Sequence, residues 1–152
     1  MRIPAVTYRI QFNRNFRFTD ARQILPYLRD LGITDMYASP VLKAKKGSLH
    51  GYDVVDIDRI NPELGTEDDF EQLIVELKGL GMGWIQDIVP NHMAFDGENS
   101  MLMDVLENGQ HSEYFDFFDI EWKHFYESLS DRLLAPFLGR HYHESLEAGE
   151  IT

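Results

Sequence analysis

Apolar and polar residues alternate near the start of the chain, which is the pattern of a half-buried β-strand. Residues 5–12 (AVTYRIQF) place four apolar side chains on one face, namely Val6, Tyr8, Ile10 and Phe12. The other face carries Arg9 and Gln11, whose side chains require water or a polar cavity. Two further runs, residues 33–39 (ITDMYAS) and 84–89 (WIQDIV), each end before a proline, and we expect strands there as well.

Two segments between these strands have the apolar spacing of an amphipathic helix. The apolar stripe of the first consists of Ala21, Ile24, Leu25, Leu28 and Leu31. Thr19 is its predicted N-cap, and Pro26 predicts either a bend or a helix that begins only near Leu25. The second segment has Thr66 and Asp69 in capping positions. Its stripe consists of Phe70, Leu73, Ile74, Leu77 and Leu80.

Strands that follow one another through helices pair in parallel with right-handed crossovers, so the chain predicts an α/β fold. The carboxyl ends of such strands carry binding and catalytic groups. Here those ends lead into Ser39, into a long connection at residues 41–65, and into residues 90–93 (PNHM). Apart from the strand-like stretch VVDID, the connection shows no pattern of regular structure. Connections of this length are usually functional.

The pattern changes after Met93. Residues 94–110 predict one short helix, and the thirteen residues 114–126 contain seven aromatic side chains. This aromatic segment has two interpretations, a carbohydrate-binding platform or a packing surface against protein that the chain does not contain. The remainder predicts short helices broken by Pro136 and Gly139.

Composition narrows the class of protein. With 152 residues, 43% of them hydrophobic, the chain is long enough for one domain with a core and too apolar to be disordered. The net charge of −12 argues against nucleic acid as a partner, and no apolar run has the length of a membrane span. There is no cysteine, and the amino terminus lacks the layout of a secretory signal, so we expect a cytoplasmic protein. The acidity is uneven, since residues 96–152 contain 13 acidic and 3 basic side chains and residues 1–95 contain 13 and 11.

One candidate site follows the third predicted strand. Asp87 lies on an otherwise apolar strand, where a carboxylate is costly unless it is paired or hydrogen-bonded. After Pro90, the side chains of Asn91 and His92 offer donors and acceptors suited to sugar hydroxyls. The alternative is that Asp87 caps a loop and that Asn91 and His92 are turn residues, and short motifs of this kind do not decide between the two.

A second candidate lies in the long connection, at residues 50–53 (HGYD). Tyr52 offers a flat amphipathic face on which a pyranose ring can stack, and Gly51 permits a close approach of the backbone. The alternative is a buried tyrosine that fastens the connection. The pair His141 and His143 has the short spacing of metal ligands, but no carboxylate pattern accompanies it, so we predict a surface pair and no metal site.

Several segments, in order, resemble the α-amylase superfamily, glycoside hydrolase family thirteen. These are TYRIQF, LGITDMYASP, GSLHGYDVVD, INPELGTEDDF and DIVPNHM, the last of which matches the first signature region of the family. The resemblance extends over essentially the whole chain. It implies that residues 1–93 are the first three β/α units of a (β/α)8 TIM barrel, incomplete in this chain, and that residues 94–152 begin a mostly helical subdomain inserted after the third strand.

The resemblance also implies roles for single residues. Asp87 would support the catalytic cluster, and Asn91 would shape its loop at a position that binds calcium in many amylases. His92 would bond hydroxyls of the sugar beside the broken bond, and Tyr52 would stack beneath that sugar. His50 and Asp53, which flank Tyr52 in the same motif, would support the site. The resemblance implies no cofactor.

Within the family, the segments are most similar to enzymes that convert the reducing-end α-1,4 bond of a maltooligosaccharide into an α-1,1 bond by intramolecular transglycosylation, a step of trehalose biosynthesis. The nucleophile and the general acid of that reaction belong to later strands. We therefore expect residues 1–152 alone to be inactive, with a maltooligosaccharide and the missing remainder of the barrel as partners. Two alternatives stay open: a part of another amylase-family glycosidase, or a non-catalytic module for glucan binding or assembly.

Overall fold

Five strands and four α-helices lie within the residues that the computed structural model describes, which are residues 3–133 and 138–151. The strands are β1 (Thr7–Ile10), β2 (Asp35–Ala38), β3 (Leu42–Ala44), β4 (Val54–Ile60) and β5 (Gly83–Gln86). The helices are α1 (Phe18–Asp30), α2 (Glu67–Gly79), α3 (Ser100–Asn108) and α4 (Tyr142–Glu147). The chain divides into two compact units, one up to Ser100 and one from Met101 onward.

The first unit is built on a parallel sheet with the strand order β1-β2-β5. Helix α1 connects β1 to β2, and α2 precedes β5, which confirms the predicted alternation of parallel strands and helices. Arg9, Tyr37 and Ile85 are partners across the three strands. Each strand is shorter than the predicted run, because the ladder uses only four residues of each.

The core lies between one face of this sheet and the helices α1 and α2. The sheet side contributes Ile10, Phe12, Met36 and Ala38, and the helices contribute Phe18, Ala21, Leu25, Leu28, Leu73 and Leu77. The rings of Phe12 and Phe18 have centroids 5.3 Å apart. On the strands every second side chain points to the core, and on each helix the apolar residues form a stripe. These two sets of side chains pack together in one cluster.

The start of α1 differs from the prediction. Thr19 is not its N-cap, since the helix begins at Phe18 and the amide of Arg17 donates to Asp20 Oδ2 at 2.8 Å. The alternative start near Leu25 is also wrong, because the helix continues through Pro26. That proline lies on the exposed side of the helix, where the carbonyl four residues earlier can bond to water.

The N-terminus of α2 agrees with the prediction. The Asp69 amide donates to Thr66 Oγ1 at 3.1 Å, and the Thr66 amide donates to Asp69 Oδ2 at 2.9 Å. This reciprocal capping box lowers the pKa of the Asp69 carboxyl below its usual value, chiefly through the Thr66 backbone bond. The apolar stripe is buried at Leu73 and Leu77.

The connection 41–65 is more regular than predicted. Strands β3 and β4 form an antiparallel pair with an irregular register, and only β4 coincides with the VVDID stretch. β3 (LKA) was missed because it is three residues long and two of its residues are only partly buried. The backbone of Ala94 donates to the Val54 carbonyl at 2.8 Å, so Ala94 itself is bonded to this hairpin.

The second unit contains α4 and the larger part of α3. The rings of Phe115 and Trp122 stack at 5.3 Å, whereas Phe125 is 92% exposed. Pro136, predicted as a helix breaker, lies outside the described residues. Across the described part of the chain, every helix is too short or too polar to cross a membrane.

Candidate functional site

Asp87 lies at the carboxyl end of the parallel sheet, directly after β5. Its amide donates to the Ala38 carbonyl at 2.9 Å, so the backbone bonding of β2 and β5 continues to this residue. The side chain is 16% exposed and is therefore largely removed from water. A carboxylate in such a place requires partners, and it has them.

The first partner of Asp87 is Tyr52, from the loop between β3 and β4. The phenol donates to Asp87 Oδ2 at 2.5 Å. The second partner is Arg9 on β1, whose Nη2 lies 3.4 Å from the same carboxylate oxygen and donates to Tyr52 Oη at 2.9 Å. Two residues predicted separately thus form a pair, which is joined by Arg9, a third residue that the sequence analysis did not include in the site. The signal was present, since Arg9 lies on the polar face of β1.

These contacts determine the ionisation of the cluster. The hydrogen bond from Tyr52 lowers the pKa of the Asp87 carboxyl, and bonds from Arg9 and Tyr37 act in the same direction against the effect of burial. The same hydrogen bond raises the pKa of the Tyr52 phenol, and burial adds to this. At neutral pH the cluster therefore contains a carboxylate, a neutral phenol and a guanidinium.

The loop that presents Tyr52 requires glycine at position 51. Gly51 has a φ of 77°, and a Cβ built there would lie 2.8 Å from the Pro40 carbonyl oxygen. The predicted close backbone approach is therefore present, and any side chain would collide with Pro40, just beyond β2, and strain the turn. Ser48 Oγ accepts from the Gly51 amide at 3.1 Å.

His50 and Asp53 both lie in this loop. The ring of His50 stacks on that of Tyr52 at 6.0 Å, and His50 Nδ1 accepts from the Tyr52 amide at 3.1 Å. The Ser48 hydroxyl donates to the Asp53 carboxylate in a short hydrogen bond. Gln11, on the same face of the chain as Arg9, donates to the His50 carbonyl at 3.2 Å. These bonds fasten the loop that bears Tyr52.

His92 and Asn91 lie beyond Pro90. The Oδ1 atom of Asn91 is 3.2 Å from His92 Nδ1. A hollow of about 170 Å³ is lined by Asp87 and His92 and by ten further residues, Pro40, Val41, Leu42, Val54, Ile57, Gln86, Ile88, Val89, Pro90 and Met93. Asp87 therefore lines this hollow and also bonds to Tyr52. Tyr52 and Asn91 are not among the residues that line it.

No group of three or more histidine and carboxylate side chains that could hold an ion occurs among the described residues. His143, in the second unit, lies 3.2 Å from Glu147, which agrees with a surface pair.

A parallel α/β sheet with this cluster at its carboxyl end is an arrangement found in barrel enzymes and in open α/β sheets, and comparison with known proteins gives the class. The alpha-amylase catalytic domain matches residues 21–144, so the chain belongs to the α-amylase family. Several of the solved structures that it resembles are maltooligosyl trehalose synthases. A crystal structure of a maltooligosyl trehalose synthase is 44% identical, with a TM-score of 0.83 over 97% of this chain and 20% of that chain.

Two further relatives carry the same enzyme name. The structure of maltooligosyltrehalose synthase from Arthrobacter ramosus is 45% identical, with a TM-score of 0.75 over 78% of this chain and 16% of that one. A Mycobacterium tuberculosis protein to which the same activity is assigned is 42% identical over 148 residues, 91% of this chain and 19% of its own length. The chain thus spans about one fifth of the length of these relatives.

Proposed function

We propose that this chain is the amino-terminal part of a maltooligosyl trehalose synthase. The complete enzyme would convert the reducing-end α-1,4 bond of a maltooligosaccharide into an α-1,1 bond, leaving a chain that ends in trehalose. The observation that carries the proposal is the Asp87–Tyr52 pair at the carboxyl end of the sheet, in a chain that matches such enzymes over nearly its full length.

Residues 1–93 are proposed as the first three β/α units of a (β/α)8 barrel, and residues 94–152 as the start of an inserted subdomain. The parallel order β1-β2-β5 supports the first part, since barrel strands are consecutive and parallel. The second part is supported by the change in charge after residue 95. The division of the structure after Ser100 lies close to the proposed boundary.

The ring of Tyr52 is proposed to stack beneath the sugar next to the reacting bond, with His92 and Asn91 bonding its hydroxyls. The phenol oxygen of Tyr52 already bonds to Asp87 and Arg9, so the ring is the part of this residue available to a sugar. His92 is exposed and lines the hollow that Asp87 also lines, which supports a contact with ligand in that space.

Asp87 is proposed to support the site and not to attack the sugar. Its carboxylate is held by a phenol and a guanidinium, and these bonds make it a poor nucleophile. A retaining transglycosylation needs a carboxylate and a carboxylic acid about 5–5.5 Å apart. We propose that both come from later strands, so that the partner of this chain is the rest of the barrel, in a cytoplasmic enzyme.

The test is the activity of the protein encoded by the complete reading frame that contains these residues. With maltopentaose, we expect reducing ends to disappear with no loss of total sugar, because the product is non-reducing. New reducing ends would instead indicate a hydrolase of the same family. Binding of maltopentaose with neither change would indicate a non-catalytic glucan-binding module. Residues 1–152 expressed alone should leave maltopentaose unchanged.

A further inference from the structure

Arg9 is the residue at which three parts of the site meet. One nitrogen of its guanidinium, Nη2, contacts both Tyr52 and Asp87, at 2.9 Å and 3.4 Å. The other, Nη1, donates to Gln11 Oε1 at 2.9 Å. The guanidinium carbon lies 5.5 Å from the centre of the Tyr37 ring, the residue paired with Arg9 across the sheet. One planar group is therefore fixed from four sides.

These contacts fix the direction of the hydrogen bonds around the Tyr52 phenol. The single proton of the Tyr52 phenol goes to Asp87, so the phenol oxygen is left as an acceptor, and Arg9 supplies the donor. A guanidinium donates hydrogen bonds but cannot accept them, and its plane is fixed. The direction of the hydrogen bonds from Arg9 to Tyr52 and from Tyr52 to Asp87 therefore cannot be reversed. The Tyr52 ring is thereby held at one distance from β1 and β5.

A second link from the same strand supports this arrangement. Gln11, which bonds to Arg9, also donates to the carbonyls of His50 and Leu49 in the loop that carries Tyr52. The polar face of β1 thus holds the side chain of Tyr52 through Arg9 and the backbone of its loop through Gln11.

We propose that Arg9 is a positioning residue for the sugar next to the reacting bond: it holds the Tyr52 ring and the Asp87 carboxylate in the geometry that the reaction uses. This inference rests on the proposed function. Arg9 does not itself touch the reacting atoms, and its effect passes through the two groups that it contacts.

The test uses the full-length protein and three variants. Arg9→Met should lower kcat for maltopentaose about 10- to 100-fold, with a smaller change in KM, because a displaced ring disturbs the reacting geometry. Arg9→Lys keeps the charge without the planar fork and should recover part of that loss. Arg29→Met, in the exposed last turn of α1, is the matched control and should leave kcat unchanged.

The pH profile of kcat/KM distinguishes a positioning role of Arg9 from a role that only stabilises the fold. Asp87 faces Arg9 on β1, Tyr37 on β2 and Tyr52 in the loop, with His92 lining the same hollow. Because the bond from Arg9 helps to lower the pKa of Asp87, Arg9→Met should move the acid limb of kcat/KM to higher pH. Tyr52→Phe removes the shared oxygen, so the double variant should lose little more than Arg9→Met alone.

The outcomes are distinct. Wild-type protein without activity on maltopentaose would refute the proposed function and leave Arg9 with no reaction to support. Active wild type with an unchanged Arg9→Met variant would refute the positioning role. A fall in activity that matches a fall in melting temperature, with an unmoved acid limb and no recovery in Arg9→Lys, would also refute it, since Arg9 would then only stabilise the fold.

Discussion

The two faces of the β1-β2-β5 sheet differ in what they contact, although each strand contributes to both. On the helix side, Phe12 is 1% exposed and packs in the apolar core. On the opposite side, the Arg9 side chain is 38% exposed and makes an ion pair with Asp87. Period two along a strand makes this possible, because neighbouring residues point to opposite sides. Stability and binding are thereby assigned to separate sets of side chains, and a substitution on one face should largely spare the other.

The largest effect is expected on the helix side. Phe12→Ala should lower the free energy of unfolding by about 3–5 kcal/mol, because it opens a cavity next to the rings of Phe18 and Trp84. Denaturant unfolding of the protein measures this change. Gln11→Ala, one residue away on the polar face, is the control and should cost less than about 1 kcal/mol. Equal losses for the two variants would show that the faces are not separate.

The second-largest effect is expected on the polar face of the sheet. It is a loss of enzymatic activity. Asp87→Asn keeps the shape of the side chain but removes the charge that Tyr52 and Arg9 contact, so kcat/KM of the full-length protein should fall about 100-fold. Its free energy of unfolding should change far less than that of Phe12→Ala. Steady-state kinetics and denaturant unfolding of the same preparation measure both quantities. An Asp87→Asn variant that unfolds easily and retains full activity when folded would contradict this division of stability and binding between the two faces of the sheet.

A smaller effect is expected in the loop that presents Tyr52. Gly51→Ala should weaken the binding of maltopentaose about 10-fold, since the added Cβ meets the Pro40 carbonyl oxygen at 2.8 Å. Gly47→Ala is the matched control, because Gly47 also has a positive φ, 81°, but its Cβ would have no neighbour closer than 4.0 Å. Calorimetric titration of the full-length protein measures the difference. Equal losses of affinity in the two variants would show that strain alone, and not the collision, governs the loop.

The smallest effect is a pH dependence of stability. The folded-state pKa of Asp87 is lowered, so its contribution to stability is present above the unfolded pKa of the carboxyl and is lost as the pH falls through the folded value. Asp87→Asn should therefore reduce the loss of melting temperature on acidification. Melting curves between neutral pH and about pH 2 measure this. A wild-type and a variant curve of the same slope would contradict the ionised state of Asp87.

The sequence predicted much of this arrangement for physical reasons. The stripes of α1 and α2 depend on local periodicity, which the structure retains. Along residues 5–12 the predicted apolar face is buried only at Ile10 and Phe12, whereas Val6 and Tyr8 are exposed. That Asp87 and the connection carrying Tyr52 lie at one end of the sheet followed from the expectation that the carboxyl ends of parallel strands meet at one edge. The hydrogen bond between the two residues was not predicted.

Other features depend on contacts that local patterns do not contain. The polar face of β1 marked Arg9 as needing a partner but did not identify Tyr52 as that partner, since the two residues are 43 positions apart. β3 was missed because its pairing with β4 supplies the order that three residues lack by themselves. Thr19 has the chemistry of an N-cap, but the helix begins two residues earlier, with Arg17 as the N-cap and its amide bonded to Asp20.

The most direct test is a crystal structure of the full-length Asp87→Asn protein with bound maltopentaose. We predict that a glucose ring stacks on Tyr52, with its hydroxyls within hydrogen-bond distance of His92, at the carboxyl end of β1, β2 and β5. A sugar bound elsewhere, with Tyr52 and His92 covered by other parts of the protein, would show that this cluster supports the fold and takes no part in holding the substrate.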